Sequence, residues 1–146
     1  DLKLVSKVPF FRDMDVTNIG DIVSLLTPKT VPPNYAVIKL GEKADGMYFI
    51  ISGQLEVELS TEAVILEAGQ FFGEMGIIND SPRTATIVSI TECKLLELKA
   101  DDLRHMMSSH PELKVKMDNV IEERRQALQN DFIDNDEQDK SDNEDK

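Results

Sequence analysis

A succession of short β-prone segments between residues 35 and 99 constrains the fold more than any other feature of this sequence. The segments are AVIKL, MYFIIS, QLEVELS, AVILE, TATIVSI and CKLLEL. β-Branched and aromatic residues favour strands, and glycines or turn residues separate neighbouring segments. Leu55, Val57 and Leu59 also alternate with glutamates, which is typical of a strand with one face in water. Several short strands at this spacing predict a sandwich or barrel rather than a parallel α/β sheet.

Helical spacing precedes and follows this strand-rich stretch. Before it, apolar residues at steps of three and four predict one apolar helical face, formed by Val16, Ile19, Ile22, Val23 and Leu26. Asp15 is placed to cap this helix and Pro28 to end it. After Leu98 the spacing returns over residues 100–109, and Pro111 opens a further helix. The predicted fold class is therefore α+β: an antiparallel, jelly-roll-like β-roll with an N-terminal helical segment and two C-terminal helices.

Length and composition suit one domain. The chain has 146 residues, of which 40% are hydrophobic, enough for a single core. No apolar run reaches the ~20 residues of a membrane span, so we expect no direct membrane insertion by this piece. The sequence starts at Asp1 rather than Met, and we interpret it as part of a longer protein. Its single cysteine, Cys93, excludes an internal disulfide and fits a reducing compartment.

Charge is concentrated at the C-terminus. Residues 131–146 hold eight acidic residues and two lysines, so their charge of −6 is half of the total of −12. This segment is polar and unpatterned, which predicts a folded domain over residues 1–130 and a disordered acidic tail over residues 131–146. The tail is either a solvated terminus or an interaction segment. A chain this acidic, with no basic stripe, is unsuited to nucleic acid, which we exclude as a partner.

The residue pattern also argues against catalysis and metal binding. The two histidines, His105 and His110, lie five positions apart in the predicted helical pair, so they do not share one helix face. No serine, cysteine or lysine lies in a recognisable nucleophile setting. We therefore predict no catalytic residues, no metal site and no enzymatic activity.

The segment FFGEMGIINDSPRTA, residues 71–85, combines groups that suit a phosphorylated sugar. A helical turn starting at Gly73 directs backbone N–H groups outward, and Arg83 offers a fork of donors that fits phosphate. Glu74 would repel an anion but accepts hydrogen bonds from hydroxyls, so a phosphate joined to a ribose satisfies both residues. In the alternative interpretation, Glu74 stabilises the helix N-terminus and Arg83 pairs with it on the surface.

The longer segment FFGEMGIINDSPRTATI resembles the phosphate-binding cassette of cyclic nucleotide-binding domains. That pattern is Phe-Gly-Glu, a short apolar helix, a loop, and then Arg-Ser/Thr-Ala. VPFFRDM, KLGEKADGMYFIISGQLEVE and the closing helical pair follow in family order. The resemblance covers residues 2–128 or thereabouts and implies cAMP or cGMP as the ligand, with no other cofactor.

The resemblance also implies a role for each residue of the cassette. Glu74 would bind the ribose 2′-hydroxyl. The cyclic phosphate would be held by backbone or side-chain groups of Gly73, Met75, Arg83, Thr84 and Ala85. The hydroxyl of Thr84 is compatible with both adenine and guanine, so it does not separate cAMP from cGMP.

Purine contacts are implied in two regions. The strand region would supply Val64, Leu66 and Phe72, and the last helix would supply Ile121, Arg124 and Leu128. Core packing is an equal alternative for Val64 and Leu66, and a solvated helix face is an equal alternative for Arg124. We expect Phe71 to lie in the core.

The kind of protein to which this domain belongs has several alternatives, because related modules occur in transcription factors, kinase regulatory subunits, exchange factors and channels. The opening LKLVSKVPFF is similar to the junction between a channel's gating linker and its sensor, whereas a transcription factor would continue into a helix-turn-helix where DFIDNDEQ stands. The whole is most similar to the C-terminal sensor of cyclic-nucleotide-regulated potassium channels. This implies a cytoplasmic domain of a membrane protein, with an upstream transmembrane channel domain that is tetrameric in the full protein. A kinase effector, or a module that has kept the fold and lost its ligand, are the alternatives.

Overall fold

The structure is a computed structural model and describes residue 11, residues 16–58, residues 64–124 and residue 126. Helix α1 spans Val16–Val23 and ends earlier than the predicted Leu26. Its last turn tightens, since the backbone N–H of Leu26 donates to the Val23 oxygen at 3.2 Å, a three-residue step. The chain turns early because Thr27 already pairs with Glu97 in the first strand.

Eight strands follow within the described residues. They are β1 (Thr27–Val31), β2 (Ala36–Ile38), β3 (Gly46–Ser52), β4 (Gln54–Glu58), β5 (Val64–Glu67), β6 (Phe71–Phe72), β7 (Thr86–Ser89) and β8 (Cys93–Lys99). They form two four-stranded sheets, ordered β1-β8-β3-β6 and β2-β7-β4-β5. Every pairing between these strands is antiparallel, which confirms the predicted β-roll.

Strands β1 and β6 are absent from the sequence-based prediction. Strand β1 contains Pro28, which the sequence pattern indicates only as the end of the preceding helix. A proline lacks the backbone N–H and is tolerated on an edge strand, and β1 is the edge of its sheet, beside β8. Strand β6 has two residues, too few for a periodic signal, and forms because β3 offers a free side.

The hydrophobic core of the roll takes at least one side chain from every strand. Its buried members are Val31, Ile38, Tyr48, Ile50, Leu55, Leu66, Phe72, Ile87, Cys93 and Leu95. Since these residues come from both sheets, the core lies where the inner faces of the sheets meet. Burial raises the pKa of the Cys93 thiol, so it stays protonated as an apolar core residue.

Strand β3 is buried on both faces. Its first five residues are all buried, which explains why its sequence is continuously apolar rather than alternating. On the face away from the roll, the Phe49 ring lies 4.8 Å from Phe11 and 5.9 Å from Phe71, measured between ring centroids. Phe71 is therefore a core residue, as predicted.

Three further helices complete the described chain. Helix α2 spans Glu74–Ile78, helix α3 spans Ala100–Ser109, and helix α4 occupies residues 111–124. The chain divides into two compact units, with the boundary after Met106. Leu103 is buried in the first unit, and Leu113 and Met117 are buried in the second. The predicted acidic tail, residues 131–146, lies outside the described residues.

Candidate functional site

The cassette, residues 73–85, connects strand β6 to strand β7 and contains helix α2. Helix α2 has only five residues and ends at Asn79, whose backbone N–H donates to the Met75 oxygen at 2.9 Å. The next turn is closed by the Ser81 N–H, which donates to the Gly76 oxygen at 2.9 Å. The predicted single helical turn and loop are thus confirmed, and they deliver Arg83 back towards Gly73.

Gly73 adopts a backbone conformation that few other residues tolerate. Its φ is 91° and its ψ is 0°, in the left-handed region. A Cβ atom here would lie 3.0 Å from Ile38 Cδ1, 3.2 Å from Arg83 Nη1 and 3.2 Å from the Gly46 oxygen. The backbone conformation therefore favours glycine, and a side chain here would also require its neighbours to shift by a few tenths of an ångström.

The loop between β2 and β3 packs closely on helix α2. A Cβ atom added at Gly76 would lie 2.6 Å from Ala44 Cβ and 3.1 Å from the Ser81 oxygen. Real Cβ atoms do not approach this closely, so the missing side chain lets the helix and the loop come together. This contact places the loop beside the side chain of Arg83.

The Arg83 side chain is buried and fixed by main-chain oxygens. Only 7% of the residue is exposed. Its Nη1 donates to the Gly73 oxygen and its Nη2 donates to the Gly46 oxygen, both at 2.5 Å. A guanidinium has five N–H groups, so these two bonds fix its plane and leave donor capacity for an anion.

The main chain of Arg83 is held by the same loop. Its N–H donates to the Glu42 oxygen at 2.8 Å, and its oxygen accepts a bond from the Gly41 N–H at 2.8 Å. The side chain and the backbone of Arg83 are thus both positioned by residues 41–46. This pairing makes the β2–β3 loop part of the site.

Burial and nearby carboxylates act in opposite directions on Arg83. Burial lowers the pKa of the guanidinium, because desolvation disfavours its charge, whereas Asp45 and Glu74 act to raise it. The Asp45 carboxylate lies 3.8 Å from Nη2. An arginine remains charged at neutral pH, so the cassette holds a buried cation.

Glu74 is also buried, with 4% of the residue exposed, and it is the first residue of helix α2. Its charge is close enough to act on the pKa of Arg83. Two opposite charges therefore lie buried within one cassette. The alternative of a pair on the protein surface is wrong, because both residues are inside.

The other predicted phosphate-binding residues are more open to solvent. Met75 and Thr84 are exposed, and Ala85 is half-buried. The structure brings half-buried Gly73 together with buried Glu74 and buried Arg83, and Thr84 follows Arg83 directly in the chain. Assignment of these residues to a ligand stays a prediction.

The predicted purine contacts fall into three classes. Leu66 and Phe72 are buried members of the roll core, and Val64 is half-buried. Core packing therefore accounts for Leu66 without a ligand. Ile121 and Arg124 are half-buried on helix α4, and Leu128 lies outside the described residues.

Residues 42–46 are the part of the site that the sequence-based prediction missed. Glu42, Asp45 and Gly46 contact Arg83 through a backbone oxygen, a carboxylate and a backbone oxygen, respectively. No spacing pattern points to them, since 37 positions separate Gly46 from Arg83. The local signal is the pair of glycines in the loop, Gly41 and Gly46, which the sequence pattern indicates only as separators between strands.

A polar network lies two residues along β3 from Gly46. The Tyr48 ring stacks on Phe72, with centroids 5.3 Å apart. Burial raises the pKa of the Tyr48 hydroxyl, and a hydrogen bond to the carboxylate of Glu97 raises it further. Glu97 also accepts a bond from Lys29 Nζ at 2.8 Å. The phenol is therefore neutral and donates to Glu97.

The described part of the chain offers neither a cluster of metal ligands nor a membrane-spanning helix. No group of three or more histidine, cysteine, aspartate or glutamate side chains there is arranged to hold a metal ion. No helix within it is long and apolar enough to cross a bilayer.

Comparison with known proteins identifies the family. The model of the cyclic nucleotide-binding domain matches residues 28–110, more than half of the chain, and includes the whole cassette. The chain belongs to the cyclic nucleotide-binding domain family. This confirms the resemblance inferred from the cassette, and it describes a ligand-binding regulatory family rather than an enzyme family.

Similar curated proteins include a channel and a regulatory subunit of a kinase. A cyclic nucleotide-gated potassium channel of Rhizobium etli is 38% identical over 84% of this chain and 35% of its own length. A cAMP-dependent protein kinase regulatory subunit of Yarrowia lipolytica is 32% identical over 70% of this chain and 28% of its own length. The chain spans about a third of the length of the channel relatives it matches (35%).

Solved structures agree on the fold. A protein kinase A regulatory-subunit domain bound to Sp-2Cl-cAMPS has a TM-score of 0.70 at 22% identity, covering 82% of this chain and 83% of that one. The catabolite activator protein of Thermus thermophilus has a TM-score of 0.73 at 18% identity, covering 85% and 61%. Identities this low support the β-roll with its helices and nothing finer.

Proposed function

We propose that this domain binds a cyclic purine nucleotide, cAMP or cGMP, at the cassette. The observation that carries the proposal is that Arg83 and Glu74, two residues of opposite charge, are both buried in the cassette, within the residues that the family model matches. Burying two charges costs more free energy than burying apolar groups of similar size. Such a costly arrangement is therefore better explained by a ligand than by packing.

The proposed roles follow from the chemistry of each group. The Arg83 guanidinium donates to the cyclic phosphate, together with groups of Gly73, Met75, Thr84 and Ala85. Glu74 accepts a hydrogen bond from the ribose 2′-hydroxyl. The exposure of Thr84 leaves its hydroxyl accessible, which supports its role beside the phosphate.

Arg83→Ala tests this proposal most directly. Loss of one partner of a buried charge pair costs about 2–5 kcal/mol, so we expect the affinity to fall by more than tenfold. Calorimetric titration with cAMP and then cGMP measures this change, and the ratio of the two affinities gives the nucleotide preference. Circular dichroism and a melting curve check that the variant is folded.

Two further variants control this test. Lys94→Ala removes an exposed cation from β8 and should leave the affinity unchanged. Arg83→Lys keeps the charge but not the fork of donors, so its affinity should fall between those of Arg83→Ala and the unmodified domain. An Arg83→Ala variant that binds as tightly as Lys94→Ala would contradict the assignment of Arg83.

A module that has kept the fold and lost its ligand is the second candidate for the domain itself. The presence of Gly73, Glu74, Arg83, Thr84 and Ala85 together favours a working site. Absence of any heat with both nucleotides, from folded and ligand-free protein, would favour the structural module instead.

We further propose that binding closes the last helix over the purine and thereby regulates an attached effector. A ligand can shift this equilibrium only by preferring the closed state, and such couplings are typically about 1–3 kcal/mol. Helix α4 and the residues after it are the proposed moving part. Amide hydrogen exchange of residues 111–128, with and without nucleotide, tests this by looking for slower exchange in the complex.

A potassium channel is the effector that the comparisons favour, since two channel relatives are 38% and 35% identical to this chain. A kinase regulatory role is the alternative, supported by 32% identity to such a subunit. Potassium flux from liposomes containing the full-length protein, with and without nucleotide, separates the two. A cytoplasmic location and a tetrameric assembly belong to the channel proposal.

A further inference from the structure

One face of helix α3 contacts two loops near Arg83: the β2–β3 loop and the loop that follows helix α2. Ala100 and Arg104 are four residues apart on this helix and therefore lie on the same face. The Ala100 N–H donates to the Asp45 oxygen at 2.9 Å. Asp45 precedes Gly46, whose oxygen accepts from Arg83, so the first turn of α3 is joined to the β2–β3 loop.

One turn later, the same face reaches the other loop. Arg104 Nη2 lies 3.7 Å from Asp80 Oδ1, in the part of the cassette that leads directly to Arg83. Arg104 Nη1 also lies 3.3 Å from Asp101 Oδ1 within the helix. Arg104 thus lies between one carboxylate of its own helix and one carboxylate of the cassette.

Asp80 holds an unusual backbone conformation at this contact. Its φ is 49°, in the left-handed region, and its N–H donates to the Ile77 oxygen at 3.3 Å. Aspartate and asparagine tolerate this region better than other side chains, and glycine tolerates it best. An aspartate at this position is more strained than a glycine would be. Unlike a glycine, it has a carboxylate, which lies beside Arg104.

We propose that Arg104 is a positioning residue for the nucleotide site, acting through Asp80 on the loop that carries Arg83. Helix α3 then holds the two loops around the guanidinium at a fixed separation. The ion pair acts on loop geometry and does not touch the ligand. This inference rests on the proposed function, since it concerns the affinity of the same site.

A double-mutant cycle in calorimetric titrations with cAMP and cGMP tests the proposal. Asp80→Asn keeps the tolerance for a left-handed backbone while removing the charge, and Arg104→Gln removes the cation. Each should weaken binding of the preferred nucleotide by about two- to fivefold, the range expected for an exposed ion pair. The double variant should bind no more weakly than either single variant, because all three lack the same pair.

Three further readouts separate positioning from general stability. Asp101→Asn removes the other carboxylate beside Arg104 and should leave the affinity unchanged. Raising the ionic strength should shrink the effect of each single variant, because an exposed pair is screened. Melting temperatures should stay the same, and amide exchange of residues 79–81, 83 and 84 in the ligand-free protein should be faster in Asp80→Asn and in Arg104→Gln.

The outcomes distinguish this inference from the proposed function. If the unmodified domain binds nucleotide and the two single effects are additive or absent, the positioning role is wrong and the proposed function stands. If the unmodified domain binds neither nucleotide, both are overturned. Unchanged amide exchange in both variants would also overturn the positioning role, whatever the titrations show.

Discussion

At the scale of single residues, Arg83 and Gly73 depend on each other. The Gly73 oxygen accepts a hydrogen bond from the guanidinium, and the missing Cβ leaves room for Arg83 Nη1 and Ile38. The sequence alone pointed to both residues through the Gly-Glu and Arg pattern. It did not show that they touch, because that contact depends on how the ten residues after Gly73 turn back.

We expect Gly73→Ala to lower the free energy of unfolding by about 1–3 kcal/mol, because a side chain is strained at this φ, and to weaken nucleotide binding. Gly41→Ala is a matched control, since Gly41 has a φ of 86° but open space where a Cβ would lie. It isolates the conformational cost from the crowding. Chemical denaturation and titration of both variants should show the larger losses in Gly73→Ala, and equal losses would contradict the role of crowding.

The Tyr48 hydroxyl should make stability depend on pH. Burial, with the bond to Glu97, raises its pKa above the ordinary value of 10.0. A raised pKa means that the folded state favours the protonated phenol, so this contribution is complete below pH 10 or thereabouts and is lost as the pH rises further. The free energy of unfolding should therefore fall above that pH.

Urea denaturation between pH 8 and pH 11 measures this dependence. Tyr48→Phe should flatten the alkaline part of the curve, whereas Tyr35→Phe, at a half-exposed tyrosine, should leave its shape as it is. A curve of the same shape in Tyr48→Phe would mean that other groups cause the loss.

At the scale of elements, the strands show what periodicity can predict. Four of the six β-prone segments contain neighbouring β-branched or aromatic residues, whereas QLEVELS alternates apolar residues with glutamates and CKLLEL contains three leucines. The sequence does not predict strand β1, because Pro28 is a residue that usually interrupts strands. The pairing of β1 with β8 also joins residues far apart in the chain. Residues 41–46 were missed as part of the site for the same reason, since their contacts with Arg83 are long-range backbone contacts that no local pattern records.

The contact between helix α2 and the β2–β3 loop predicts that Gly76→Ala lowers stability, although such a change in a helix ordinarily raises it. Helix propensity alone says that Gly76→Ala should stabilise the protein by about 1 kcal/mol. The Cβ would instead lie 2.6 Å from Ala44 Cβ, so we expect a net loss of about 1–3 kcal/mol from overpacking, with weaker nucleotide binding.

A compensating substitution makes this test specific. Ala44→Gly removes the opposing methyl group, so the double variant Ala44→Gly with Gly76→Ala should recover most of the stability and affinity lost in Gly76→Ala. Thermal melts and titrations of the three variants give the comparison. A Gly76→Ala variant more stable than the unmodified domain would show that the loop yields without cost.

At the scale of the whole molecule, net charge opposes the approach of an anionic ligand. Residues 131–146 carry −6 of the total of −12. Deleting them should speed the association of a fluorescent cyclic nucleotide at low salt, because long-range repulsion is halved. At about 0.15 M salt the Debye length is only about 8 Å, so the difference should disappear.

Stopped-flow association at two salt concentrations measures this effect. The melting temperature should stay the same after the deletion, as expected of a tail that adds nothing to the core. A lower melting temperature would contradict the predicted division at residue 130.

The two carbonyl oxygens that hold Arg83 also bear on the entropy of binding. An unrestrained arginine side chain carries about 2 kcal/mol of rotamer freedom that a ligand must remove when it binds. Here the folding of the chain has already removed that freedom, before any nucleotide arrives. The ligand thus meets a donor whose disorder is already lost, and more of its contact energy remains as affinity.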